Sequence, residues 1–166
     1  MSLYAAVALL GIIAIVQSSV LARLDATAVH PNLMLLTVMA WSLLRGSREG
    51  LVWGFAGGLA LDLLSGGPLG LNAFLLTLAG YASGFGEARV FRGNALLPAL
   101  IIVGVTVALF ALTVVALAFT GRAVPLADTL WQVLAPSLTL NLIASPLVYR
   151  AMRWLSHQVG GEPWGV

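Results

Sequence analysis

Asp62 is the one acidic residue that lies well inside an apolar stretch, which makes it the first candidate for chemistry in this sequence. A carboxylate within an apolar segment is costly and therefore indicates a function by default. The alternative is structural: the carboxylate accepts hydrogen bonds from Ser65, or from free N–H groups of the Gly66–Gly67 turn and the next helix. Because the N-terminus of a helix favours negative charge, we favour the structural role.

The remaining polar residues give catalysis little support. A carboxylate protease would need a second acid at depth, and no apolar stretch contains one. His30 and His157 stand alone in predicted loops, so they form neither a zinc-binding H-E-x-x-H helix nor a base for Ser65. The sequence has no cysteine and no glycine-rich phosphate loop. It therefore predicts no catalytic residue, no metal site and no cofactor.

Asn72 and Asn141 are uncommon polar residues within apolar segments, and we interpret both as structural. Asn141 lies between Pro136 and Pro146, whose rings free backbone carbonyl groups about one turn upstream. Its side chain is expected to satisfy such a carbonyl group or to bridge to another helix.

Composition indicates a membrane protein. Hydrophobic residues make up 60% of the 166 residues and charged residues 8%, against about 25% charged residues in soluble domains. The mean hydropathy of +1.02 excludes disorder. At roughly 20 apolar residues per crossing, the chain has room for about six transmembrane helices and no separate catalytic domain. No basic run is present to bind nucleic acid.

Six apolar segments can be marked, and they predict an all-α membrane protein with six transmembrane helices. The predicted helices are 3–22, 33–44, 49–64, 68–85, 95–120 and 129–154, within a transmembrane domain 1–155 that precedes a short cytoplasmic tail 156–166. A five-helix alternative makes the short second segment re-entrant.

Arginines predict the orientation. With six helices, one side carries both termini and six arginines, whereas the other carries two: Arg45, Arg48, Arg89, Arg92, Arg150 and Arg153 against Arg23 and Arg122. The positive-inside rule therefore predicts that both termini are cytoplasmic. Trp41, Trp53, Trp131 and Trp154 lie near predicted helix ends, as is typical of aromatic residues at the membrane interface.

Glycines concentrate in the predicted third and fourth helices. Gly50, Gly54 and Gly58 recur every four residues, and Gly80 and Gly84 repeat the spacing. Small residues at this spacing let membrane helices pack closely. The two glycine faces either pack the two helices together or leave one face for a partner.

The segment 54–82, GFAGGLALDLLSGGPLGLNAFLLTLAGYA, resembles the rod shape-determining protein MreD family. Its specific part is the D-x-x-S-x-x-P-L-G stretch from Asp62 to Gly70, and the Pro31-Asn32-Leu33 opening of the second helix also matches. The resemblance covers essentially the whole chain. It implies a fold similar to the six-helix substrate-binding subunits of energy-coupling-factor transporters.

The resemblance also implies a function and partners. The chain is expected to be a non-catalytic scaffold of the elongation complex in the bacterial cytoplasmic membrane, supporting rod shape and side-wall peptidoglycan synthesis. MreC would bind directly, while MreB and the RodA glycosyltransferase with its transpeptidase would associate within the complex. The alternative is a vitamin-like small-molecule binding subunit of a transporter, which the poor hydrogen-bonding capacity of the predicted outer loops disfavours.

The hairpin of the third and fourth helices is the expected MreC site, because its turn is apolar and rich in glycine. The expected contacts are two glycine faces and the turn: Gly54, Gly58, Gly80 and Gly84 with Pro68, Leu69 and Gly70.

Overall fold

The computed structural model describes residues 3–21, 31–65, 69–84, 96–119 and 134–158. Within these ranges the chain forms six α-helices: α1 Leu3–Ile15, α2 Leu33–Arg45, α3 Ser47–Ser65, α4 Leu71–Gly84, α5 Leu96–Phe119 and α6 Ala135–Gln158. A π-helical segment, Val16–Leu21, follows α1 directly. For the described residues, the prediction of an all-α structure with six helices is confirmed. In the part of the chain described, none of the helices has the combined length and apolar character required to traverse a membrane.

Helix α2 lies at the centre of the fold. All nine residues from Met34 to Ser42 are buried, and the helix packs against α3, α4 and α6. The helix starts where the sequence predicts, because the Asn32 side chain accepts a hydrogen bond from the Leu35 N–H at 3.0 Å. A single residue, Gly46, then joins α2 to α3 with a φ of 95°, a backbone conformation that glycine adopts without strain.

Two tryptophans from α2 and α3 pack together inside the protein. The rings of Trp41 and Trp53 stack with centroids 4.3 Å apart, and both side chains are buried. The Trp41 indole N–H donates to the Glu49 carboxylate at 2.9 Å. The prediction that these two residues are interfacial anchors is therefore wrong, because their surfaces are covered by protein. Trp154 is exposed, and Trp131 lies outside the described residues.

The glycines of α3 and α4 bring the two helix backbones into contact. A Cβ atom added at Gly58 would lie 2.6 Å from the Ala73 nitrogen, and one at Gly80 would lie 2.7 Å from the Gly50 carbonyl carbon. At Gly84, an added Cβ would lie 2.7 Å from the carbonyl carbon of Gly46. These helices form the most extensive pair in the described structure. The two glycine faces therefore meet each other and hold α3 and α4 together as a close hairpin.

Gly54→Ala tests this close approach. An added Cβ would lie 2.6 Å from the Leu76 carbonyl carbon and 2.8 Å from the Thr77 Cα, and backbone atoms cannot rotate away. We expect the free energy of unfolding, measured by titration with sodium dodecyl sulfate, to fall by about 1–3 kcal/mol.

The matched control is Gly11→Ala, where an added Cβ would meet nothing within 4 Å. Both substitutions gain the helix propensity of alanine, so the difference between them reports the packing. Equal unfolding free energies for the two variants would contradict the close contact.

Candidate functional site

Asp62 lies in the last turn of α3, where it is 2% exposed and faces the start of α4. One carboxylate oxygen accepts hydrogen bonds from the backbone N–H of Gly70 at 2.9 Å and of Ala73 at 3.0 Å. The other accepts from both the backbone N–H and the side-chain amide of Asn72, each at 3.0 Å. Four donors thus converge on one buried carboxylate.

In this arrangement Asp62 of α3 acts as a cap for the neighbouring helix α4. The first N–H groups of a helix have no partner within it, and the N-terminal dipole attracts an anion. Asp62 supplies both the acceptors and the charge for α4. A carboxylate engaged in this way lacks a free lone pair directed at a substrate, and the described residues include no cluster of three metal-ligating side chains.

The donors match only part of what the sequence predicts. The backbone N–H groups of the next helix were expected, and those of Asn72 and Ala73 do bind Asp62. Gly66, Gly67 and Pro68 lie outside the described residues, and Ser65 is described only as the last residue of α3. The Gly70 N–H and the side-chain amide of Asn72 supply the two hydrogen bonds that the sequence did not predict. The role of Asn72 could have been predicted from its position near the start of α4, because a side-chain amide there can reach the residue that caps the same helix.

Asn141 belongs to a second buried polar cluster, at the start of α2. Its side-chain oxygen accepts from the Asn32 N–H at 2.7 Å, and its amide donates to the Thr106 hydroxyl at 3.2 Å. From the π-helical segment, Gln17 accepts from the Met34 N–H at 2.9 Å and donates to the Asn32 side chain at 3.1 Å. The cluster therefore ties α2, α5, α6 and the end of α1 together.

Sequence reasoning missed the roles of Gln17, Asn32 and Thr106 in this cluster. The sequence offered one indication of these roles, because a polar side chain in an apolar segment needs a hydrogen-bonding partner. The carbonyl group that Pro146 frees belongs to Leu142, and the Ser145 hydroxyl donates to it at 2.9 Å. Asn141 is thus left to bridge between helices.

The glycines expected to bind a partner are already covered. Gly54 and Gly58 lie against the backbone of α4, and Gly80 and Gly84 lie against the residues at and near the start of α3. This geometry corrects the prediction that a partner helix packs on them, because another backbone cannot occupy the same contact. At the turn, Leu69 is 75% exposed and Gly70 is also exposed, with a φ of 93°.

A graded series of substitutions tests the cap on α4. Asn72→Ala removes one of the four hydrogen bonds, whereas Asp62→Leu removes all of them. Asp62→Asn removes the negative charge and at least one hydrogen bond, because its amide group points at a backbone N–H donor whichever way it is turned. Each buried group left unpaired costs about 1–3 kcal/mol.

We therefore expect the free energy of unfolding to fall in the order wild type, Asn72→Ala, Asp62→Asn, Asp62→Leu. An Asp62→Asn variant as stable as the wild type would contradict the cap.

One comparison with known proteins identifies a family. The family model of the rod shape-determining protein MreD matches residues 2–159, which is nearly the whole chain. No curated protein and no solved structure matches the sequence. The expected similarity to substrate-binding subunits of energy-coupling-factor transporters is therefore unsupported. With an all-helical fold and a match over almost its full length, the chain belongs to the MreD family of rod shape-determining proteins.

Proposed function

We propose that this protein is a non-catalytic scaffold of the bacterial elongation complex, supporting side-wall peptidoglycan synthesis from within the cytoplasmic membrane. Its family has a structural role in rod-shape determination, in a membrane-associated complex with other Mre proteins. The observation that carries the proposal is the state of Asp62: the only fully buried acidic side chain among the described residues is engaged by four donors of its own chain. A protein whose buried polar groups hold its own helices together acts through its surfaces.

The outer surface of the helices supports a location in the bilayer. Large apolar side chains are exposed on several helices, among them Leu63 at 69%, Phe74 at 65% and Leu147 at 72%. Such a surface is unfavourable in water and suited to lipid. The buried caps on α2 and α4 fit the same interpretation, since backbone groups at membrane depth require partners within the protein.

The charge distribution supports cytoplasmic termini. The α2–α3 junction and the end of α6 lie at one end of the bundle, because the Arg45 guanidinium donates to the Ser156 carbonyl oxygen at 3.2 Å. Arg48, Arg150 and Arg153 belong to the same end, whereas the described residues of the Asp62 cap carry no basic group. We assign the arginine-bearing end to the cytoplasm.

Cysteine labelling tests this orientation, because the natural sequence contains no cysteine. Leu69→Cys and His157→Cys replace exposed residues at opposite ends of the bundle. In spheroplasts, a membrane-impermeant maleimide should label the cysteine at position 69, and the cysteine at 157 should react only after lysis. Labelling of position 157 from outside would refute the orientation.

MreC is the partner that we propose for the tip of the α3–α4 hairpin. The glycine faces are internal, so the remaining candidate surface at this end consists of exposed leucines: Leu63, Leu64 and Leu69 are 69%, 48% and 75% exposed. An apolar tip next to the capped start of α4 suits the extracytoplasmic stem of a bitopic partner. MreB and the RodA–transpeptidase synthase would then associate at the level of the complex.

Leu69→Ser and Leu147→Ser form a matched pair for testing this contact. The two leucines are similarly exposed, at 75% and 72%, but Leu147 lies on α6. Co-purification of MreC should fall several-fold for Leu69→Ser and remain unchanged for Leu147→Ser, with both variants present at normal levels in the membrane. Unchanged MreC recovery with Leu69→Ser, or equal losses with both, would exclude the hairpin tip as the contact.

A further inference from the structure

One face of α6 is exposed along most of its length and changes character along the helix. Its first part is apolar, with Leu140, Ile143 and Leu147 exposed. Its last two turns expose cationic and aromatic residues at helical spacing on the same side: Arg150, Arg153, Trp154 and His157. The opposite side of the helix, including Asn141 and Met152, is buried against the bundle.

The two arginines on this face differ from those at the α2–α3 junction. Arg45 lies over the Trp41 ring, 5.5 Å from its centroid, and donates to Ser156, while Arg48 also takes part in an interaction within the protein. Among the described residues, the guanidinium groups of Arg150 and Arg153 have no hydrogen-bond or ion-pair partner. Residues three apart on a helix are neighbours, so these two guanidinium groups can act on one anion.

We propose that this face of α6 binds an anionic phospholipid, with the phosphate of the headgroup at Arg150 and Arg153 and an acyl chain along Leu147 and Ile143. Arginine suits phosphate because its planar group donates two parallel hydrogen bonds. Trp154, at 65% exposure, is amphipathic and fits the headgroup level beside the arginines.

The dimensions of the face favour a lipid over a free phosphate ion. From Leu140 to Arg150 the helix rises about 15 Å at 1.5 Å per residue. This matches the hydrocarbon depth of one monolayer, about half of the ~30 Å core. A lone phosphate ion would use the arginines and leave the apolar part of the face without a role.

The inference rests on the proposed membrane location. It is tested in detergent micelles, so that a failure of selective lipid binding can be distinguished from a failure of the proposed location. The full chain is purified in detergent with equal amounts of phosphatidylglycerol and phosphatidylcholine, and the retained lipids are quantified by mass spectrometry. Wild-type protein should retain phosphatidylglycerol preferentially. Arg150→Gln and Arg153→Gln should each lower that preference roughly five-fold, equivalent to about 1 kcal/mol per basic residue near an anionic surface.

Arg48→Gln is the matched control, since it removes one charge from the same end of the bundle, and it should leave the preference unchanged. Arg150→Lys should retain part of the preference, because the charge remains while the two parallel hydrogen bonds are lost. Thermal unfolding checks that every variant is folded. This is expected for the variants at positions 150 and 153, whose side chains have no partner to lose among the described residues; Arg48→Gln is compared at the same fraction of folded protein.

Three results would overturn the assignment to a lipid site on α6. Absence of a preference in the wild type would exclude selective binding of anionic lipid. An equal loss with Arg48→Gln would indicate overall charge rather than this face. Displacement of phosphatidylglycerol by inorganic phosphate, beyond the effect of chloride at the same ionic strength, would indicate a site for the free ion. None of these results would alter membrane insertion or the recovery of MreC.

Discussion

The unpaired N–H groups at the starts of α2 and α4 are the constraint on which the rest of the structure depends. A helix cannot satisfy its first N–H groups by itself, and leaving them unpaired in apolar surroundings is costly. The start of α4 is capped by Asp62 of α3, and the start of α2 by its own Asn32 together with Gln17 and Asn141. Because most of these caps come from other helices, satisfying the backbone also determines which helices are neighbours.

Close packing then completes the arrangement that the caps begin. The glycine faces of α3 and α4 meet backbone to backbone, and the short helix α2 is enclosed by α3, α4 and α6. At the arginine-bearing end, the Trp41 and Trp53 rings stack, and Glu49 accepts a hydrogen bond from the Trp41 indole. Polar contacts at one end and aromatic packing at the other thus hold a bundle whose helices are otherwise uniformly apolar.

For function, the buried polar residues and the exposed residues have separate roles. Inside, Asp62, Asn141 and Gln17 all have hydrogen-bonding partners from the chain itself, so they contribute to the architecture. Outside, the described helices expose large apolar side chains and, on α6, two arginines that have no partner among the described residues. For this member of a shape-determining family, the exposed surfaces are where we propose that lipid and partner proteins bind.

The sequence by itself determined the six apolar helices, the start of α2 after Asn32 and the family, because these depend on local composition and short motifs. Only the tertiary structure decided which surfaces meet. Asn32 and Asn141 are 109 residues apart, and the glycine faces, Trp41 and Trp53 could equally have faced lipid or a partner. The physical reason is that a helix that is apolar on every side has little amphipathic pattern, so the sequence does not show which face is buried. That face is determined only when hydrogen-bonding partners and close-packed backbones fix the rotation of the helix about its axis.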